Sequence, residues 1–187
     1  LKALKVGLSE SREGFPPLPA VESELKRIST LLPGTVLLNQ QFTGITLQTQ
    51  LNAAPFSIVH LATHGKFSSS AEGTFILAWD GRINVKQLDE FLRVSNQDRS
   101  RVIELLVLSA CETAAGDKRA TLGLAGVAVR AGARSTLATL WPVKDNATAN
   151  LMTQFYQELE TNIGKAEALR RAQVSLSQNF KHPYYWA

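Results

Sequence analysis

Two side chains in this sequence are suited to nucleophilic catalysis, His64 and the sole cysteine, Cys111. Each comes directly after an apolar run that predicts a β-strand. A neighbouring imidazole can take the proton of a thiol, and the resulting thiolate can attack a carbonyl carbon. The sequence therefore predicts a His-Cys dyad, provided that the fold brings the two strand ends together.

The residues beside this pair also fit acyl-transfer chemistry. Gly65 lets the backbone approach a substrate closely, and the backbone N–H groups of Gly65 and Cys111 are candidates for an oxyanion hole. Taken singly, Cys111 would be a buried core cysteine and His64 a hydrogen-bonded structural histidine. Their joint position at two strand ends favours the dyad.

Other motifs do not support a metal or a nucleotide. His60 and His64 would lie about 13 Å apart on a strand, too far to share one ion, so His60 is predicted to be a core or supporting residue and no metal site is expected. His182 is expected at the surface or in packing. The sequence contains no phosphate-binding loop, and no cofactor is expected. Asn146 or Asp145 is expected to cap a helix.

Strands and helices are predicted to alternate along the chain. The turn pair Asp80-Gly81 predicts a hairpin. The run 103–110 is apolar almost throughout, as in a strand that is covered on both faces. This alternation predicts an α/β fold with a mostly parallel sheet and helices on both faces. The predicted strands are 3–9, 36–38, 58–63, 75–79, 82–85, 103–110 and 135–140, and the predicted helices lie near 21–32, 85–92, 122–131, 151–159 and 166–176.

Length and composition limit the classes of protein. The chain has 187 residues, 44% of them hydrophobic and 19% charged, which fits one globular domain with a sizeable core. The net charge of +4 is spread along the chain, so nucleic acid is not an expected partner. No apolar run reaches the roughly 18 residues of a membrane span. A single cysteine excludes an internal disulfide, and a cytoplasmic protein is expected.

Five motifs, in order, resemble the CHAT domain, the caspase HetF associated with tetratricopeptide repeats. The resemblance runs from Leu4 to Trp186. Cys111 comes 47 residues after His64, near the spacing of about 50 in caspases. The motifs are Ala62-Thr63-His64-Gly65, Leu108-Ser109-Ala110-Cys111-Glu112-Thr113-Ala114, Gly123-Leu124-Ala125-Gly126, Ala131-Gly132-Ala133-Arg134 and Leu140-Trp141-Pro142-Val143.

This resemblance implies a caspase-like three-layer α/β/α sandwich from the caspase and separase clan of cysteine peptidases. It implies a cysteine endopeptidase with His64 and Cys111 as its dyad and a protein or peptide as its substrate. Many members are bacterial and are joined to tetratricopeptide-repeat or sensor domains. The resemblance also implies a single domain over residues 1–187, from which a final C-terminal strand is expected to be missing.

The resemblance does not identify the residues that line the substrate pocket. Metacaspases place an acid two residues before the cysteine, and here that position is Ser109, which disfavours a basic P1 residue. The candidate pocket residues are Glu112, Trp141 and Asp145. The alternative function is a catalytically silent module that keeps the fold for interaction or regulation. A flavodoxin-like nucleotide binder would need the missing phosphate loop.

Overall fold

A computed structural model describes residues 1–68, 73–95, 102–109, 112–113, 132–139, 141 and 143–186 of the chain. The strands are β1 (Ala3–Gly7), β2 (Gly34–Leu38), β3 (Ile58–Ala62), β4 (Gly65–Phe67), β5 (Phe75–Ala78), β6 (Gly81–Asn84), β7 (Leu105–Ser109), β8 (Glu112–Thr113) and β9 (Thr136–Ala138). The helices are α1 (Ala20–Leu31), α2 (Gly44–Ala53), α3 (Val85–Ser95), α4 (Asp145–Glu160) and α5 (Lys165–Asn179), with 3-10 turns at Asn39–Gln41 and Pro183–Tyr185.

The central sheet is parallel throughout, in the order β2-β1-β3-β7-β9. All five strands coincide with predicted strands, and the α/β prediction is confirmed. Every residue of β1, β3 and β7 is buried, as expected where helices cover both faces of a sheet. Because the strands are parallel, their carboxyl ends meet at one edge, where open α/β sheets bind ligands.

Side chains at alternate positions along the strands pack into two hydrophobic cores, one on each face of this sheet. Ile58 and Val107 pack with Met152 and Tyr156 of α4 on the face that is covered by α1, α4 and α5. Their neighbours in sequence, such as Val59 and Leu106, pack on the other face with side chains of α2 and α3. This period of two produces the three layers of an α/β/α sandwich.

A second, smaller sheet has the order β6-β5-β4-β8. The predicted hairpin is confirmed as β5 and β6, but its two-residue turn is Trp79-Asp80 and not Asp80-Gly81, because Gly81 already pairs with Ala78 as the first residue of β6. Strands β4 and β8 are not among the predicted strands. Both were missed, because short strands of two or three residues leave no periodicity to detect.

Helix α2 was also missed. Its sequence is rich in Thr and Gln, and only Leu47 and Leu51 are buried. The helix is specified at its start instead. Thr43 and Thr46 form a reciprocal capping box, and the Gly44 N–H donates to the Asp80 carboxylate at 3.0 Å.

The predicted helices other than α2 can be compared with the structure where its residues are described. The helix expected near 122–131 lies outside the described residues. The remaining predicted helices are present as α1, α3, α4 and α5. Within the described part of the chain, no helix is both long and apolar enough to span a membrane.

Candidate active site

The segments that carry His64 and Cys111 are held side by side by two strand pairings. Ala62, two residues before His64, pairs with Ser109, two residues before Cys111. Lys66, two residues after His64, pairs with Glu112, which directly follows Cys111. Ala110 and Cys111 themselves lie outside the described residues. The pairings fix the described residues on either side of them, Ser109 and Glu112.

The His64 ring is held from two sides by the loop that precedes α1. Its Nε2 lies 2.7 Å from the Pro16 carbonyl oxygen, and its ring lies 5.0 Å from the Phe15 ring, tilted by 35°. A carbonyl oxygen only accepts hydrogen bonds, so Nε2 carries the proton and a neutral ring keeps its lone pair on Nδ1. The side chain is 7% exposed, and Nδ1 has no hydrogen-bond partner among the described residues. In this orientation Nδ1 of His64 is the nitrogen that can accept a proton.

The Gly65 N–H has a defined direction. The Leu77 N–H donates to the His64 carbonyl at 2.8 Å, so that carbonyl points towards β5. In a planar trans peptide the N–H points opposite to the C=O. The Gly65 N–H therefore points away from β5, towards the side of β4 on which β8 lies. This is the side of Glu112, which pairs with Lys66 and directly follows Cys111 in the sequence.

The candidate pocket residues occupy three different surroundings. The backbone of Glu112 lies in β8, and its side chain is outside the described part. The Trp141 ring stacks on Tyr184 with ring centres 6.3 Å apart, and its Nε1–H donates to the Tyr184 carbonyl. Asp145 is the first residue of α4 and is half-buried. Nothing in the described contacts of Trp141 brings it to His64.

The prediction that Asp145 or Asn146 caps α4 was wrong. The N-cap residue is Lys144, and no side chain caps that helix. The Asp145 carboxylate instead accepts the N–H of Ala20, the first residue of α1, at 2.6 Å. Sequence reasoning assigned Asp145 to its own helix because local capping is the common pattern. The actual contact joins residues 125 positions apart, which no local pattern reveals.

A buried polar network lies below the site and was not predicted. Glu24 Oε1 accepts hydrogen bonds from His60 Nε2 and from the Ser109 hydroxyl, both at 2.9 Å. His60 Nδ1 lies 3.1 Å from the Tyr156 hydroxyl. All four side chains are essentially excluded from solvent. The only sequence signal was Glu24 on the apolar stripe of α1, which the helical periodicity alone could not interpret.

This network confirms that His60 is a core residue, one of the two roles predicted for it. Both of its ring nitrogens are engaged, so neither is available for a metal. The described residues contain no group of three or more His, Cys, Asp or Glu side chains that could hold a metal ion. His182 is exposed, as expected, and its Nδ1 accepts the Tyr184 N–H.

A cavity of about 240 Å³ lies away from these residues. Its walls include Leu105 and Thr136, which begin β7 and β9, together with Phe155 and Leu169 of the covering helices. It therefore opens at the amino ends of the strands, opposite to His64. The carboxyl edge, and not this cavity, is the candidate active site.

The sandwich and the His64 site define a caspase-like α/β protein. The sequence model of the CHAT domain family matches residues 3–187, and the chain belongs to that family. The family is related to the caspase-like cysteine peptidases, which agrees with the resemblance of the sequence motifs. No curated protein matches the chain.

Proposed function

We propose that this domain is a cysteine endopeptidase in which His64 is the general base and Cys111 the nucleophile. One observation above all supports the proposal. The pairs Ala62–Ser109 and Lys66–Glu112 flank both residues on each side and align their segments. Membership of a family related to cysteine peptidases supports the same reaction.

The proposed reaction follows from the orientation of the imidazole. His64 Nδ1 takes the thiol proton, and the Cys111 thiolate attacks the carbonyl carbon of the scissile peptide. The N–H groups of Gly65 and Cys111 stabilise the oxyanion that forms. The C–N bond then breaks as the imidazolium gives its proton to the leaving amine. Water hydrolyses the thioester, releasing the new carboxylate and restoring the thiol.

The biological setting belongs to the same proposal. The substrate is a protein or peptide, with Glu112 and Trp141 as candidates for contacts to it. A tetratricopeptide-repeat or sensor domain, in the same chain or in a partner, regulates the domain. The cytoplasm is the proposed compartment, because a reducing environment keeps a nucleophilic thiol free.

The first experiment measures the alkylation rate of Cys111 by iodoacetamide between pH 5 and pH 10 in the wild type and in His64→Ala. Because Cys111 is the sole cysteine, the reaction reports on one thiol. We expect an apparent thiol pKa below the free value of about 8.5 in the wild type, and a return towards that value in the variant.

The peptidase itself is then tested on a peptide library, with Cys111→Ala as the inactive control. Cleavage that is lost in Cys111→Ala and His64→Ala supports the proposal. A thiol with an ordinary profile that is indifferent to His64, together with no cleavage, would contradict it. That outcome would favour the non-catalytic interaction module.

A further inference from the structure

The Asp145 carboxylate is connected to His64 through one short piece of chain. Its Oδ2 accepts the N–H of Ala20 at 2.6 Å. Four residues earlier, the Pro16 carbonyl accepts the hydrogen bond from His64 Nε2 at 2.7 Å. Asp145 therefore anchors one end of the segment whose other end holds the imidazole.

This segment is stiff enough to transmit position. Pro16, Pro17 and Pro19 fix three of its φ angles. The Leu18 N–H donates to the Ser9 carbonyl at 2.9 Å, and the Val21 N–H donates to the Leu18 carbonyl at 3.1 Å. A chain of this kind has few alternative conformations, so we expect that releasing Ala20 also displaces the Pro16 carbonyl.

The second oxygen of Asp145 adds an independent observation. Oδ1 is buried and has no hydrogen-bond partner among the described residues. Burial raises the pKa of the Asp145 carboxyl, and the negative charge of Glu24 on α1 raises it further. The Ala20 N–H and the charge of His64 act in the opposite direction and lower it. The hydrogen bonds of the fold therefore leave one oxygen of this half-buried carboxyl group unpaired among the described residues.

We propose that Asp145 is a positioning residue for His64 and not a contact to the substrate. It holds the segment 16–20 so that the Pro16 carbonyl keeps the proton on Nε2. The carboxylate also attracts a charged His64 imidazole, which is the partner that a Cys111 thiolate requires. This inference rests on the proposed function, since it assigns the group that prepares the base of that reaction.

Two substitutions separate the mechanical effect from the charge. Asp145→Asn keeps an oxygen for the Ala20 N–H and removes the charge, whereas Asp145→Ala removes both. Asp89→Asn is the matched control, because Asp89 is a partly buried carboxylate on α3 that pairs with the exposed Arg93. The 187-residue chain is used throughout. The readouts are the pH profile of Cys111 alkylation, the imidazole tautomer of His64 by ¹⁵N NMR, and Tm.

We expect both Asp145 variants to raise the apparent pKa of the Cys111 thiol by about one unit, which is roughly tenfold less thiolate at pH 7. In Asp145→Ala the Nε2–H tautomer of His64 is also lost, whereas Asp145→Asn keeps it. Asp145→Asn is expected to be at least as stable as the wild type at pH 7, because the buried charge is gone. Asp89→Asn leaves all three readouts unchanged.

Unchanged alkylation profiles and tautomer in both variants would overturn the inference, even if Asp145→Ala lowers Tm. A merely structural residue would give that result. Failure of the proposed function has a different signature, in which His64→Ala leaves the wild-type profile of Cys111 as it was. The tautomer readout does not depend on the thiol, so the two failures remain distinguishable.

Discussion

His60 and His64 show how surroundings assign different roles to one residue type. His60 is fully buried, and both of its nitrogens are engaged, by Glu24 and by Tyr156. His64 has one nitrogen fixed by a carbonyl and the other without a described partner. Only an imidazole with a free lone pair can act as a general base. The two histidines lie four residues apart, yet of these two only His64 has a nitrogen without a described partner, as the proposed base requires.

Among the acidic residues, Glu24 is the one whose substitution is expected to lower the free energy of unfolding most. Glu24→Ala leaves the donors of His60 and Ser109 without their acceptor, which should lower the free energy of unfolding by about 2–5 kcal/mol. Urea denaturation measures the change. The control is Glu22→Ala on the exposed side of the same helix, expected to stay within about 0.5 kcal/mol. Equal effects of the two substitutions would show that the buried network does not stabilise the fold.

The buried Tyr156 hydroxyl leads us to expect that the folded protein loses stability at alkaline pH. Burial, and then the charge of Glu24, raise the pKa of the Tyr156 hydroxyl well above its ordinary value of 10.0. Above pH 10.0 the unfolded chain gives up this proton while the folded protein keeps it, so the free energy of unfolding falls as pH rises. Tyr156→Phe removes this dependence and, because His60 Nδ1 loses its partner, costs about 1 kcal/mol at pH 8.

Denaturation of the wild type and Tyr156→Phe at several values between pH 8 and pH 11 tests this expectation. The difference between the two proteins isolates Tyr156 from other groups, such as the buried Lys5, whose pKa is lowered by burial. The stability gap should narrow as pH rises above 10.0. A gap that is constant with pH would mean that Tyr156 ionises in the folded protein as it does in the unfolded chain.

The start of β2 depends on one glycine. Gly34 has a φ of +146°, and a Cβ at this position would overlap the Ala3 carbonyl of β1. Gly34→Ala therefore combines backbone strain with a clash against the neighbouring strand, and should cost more than about 2 kcal/mol. Thermal and urea unfolding measure the loss.

Gly164→Ala is the control for this substitution. Gly164 precedes α5, and a Cβ there meets nothing within 4 Å. Its φ of −63° suits any residue, so the change should stay within about 0.5 kcal/mol. A Gly34→Ala protein as stable as Gly164→Ala would show that β1 and β2 tolerate a shift in their pairing.

Elements with strong local patterns could be predicted from the sequence. The apolar strands β3 and β7, the amphipathic helices and the Asp80-Gly81 hairpin all carry their signal within a few residues. Helix α2, strand β4 and the role of Asp145 depend instead on distant partners such as Asp80, Ile76 and Ala20. Local patterns do not record such contacts. His64 was predicted as a site residue for the same local reason, whereas its partner Pro16 was not.

The candidate active site lies at the ends of strands that are buried and paired on both sides within the described structure. Strands β1, β3 and β7 are buried along their full length, and each has a neighbour on both sides. Strands β2 and β6 form edges and expose alternate residues. A catalytic side chain has to be held by strands that stay paired, because a small displacement of the side chain strongly lowers the reaction rate. The ends of β3 and β7 provide that support for the segments of His64 and Cys111.

This arrangement predicts an order of amide hydrogen exchange. Amides of β3 and β7 should exchange last, through global unfolding, because opening them exposes both cores. Those of β2 and β6 should exchange earlier, through local openings that leave the central strands paired. Mass spectrometry of peptides that cover the four strands, at increasing denaturant below the unfolding transition, separates the two routes. Local openings depend little on denaturant, whereas global unfolding depends on it strongly.

The Thr63 N–H is the most informative amide, because it donates to the Ser109 carbonyl at 3.3 Å just before His64. If the strand ends form the rigid support of the site, this amide exchanges together with β3. If it exchanges with the edge strands, the two segments separate in the native state. The alignment of His64 with Cys111 would then be transient, and activity would require a partner that closes it. The exchange rate of one amide thus distinguishes a preorganised site from one that has to be assembled.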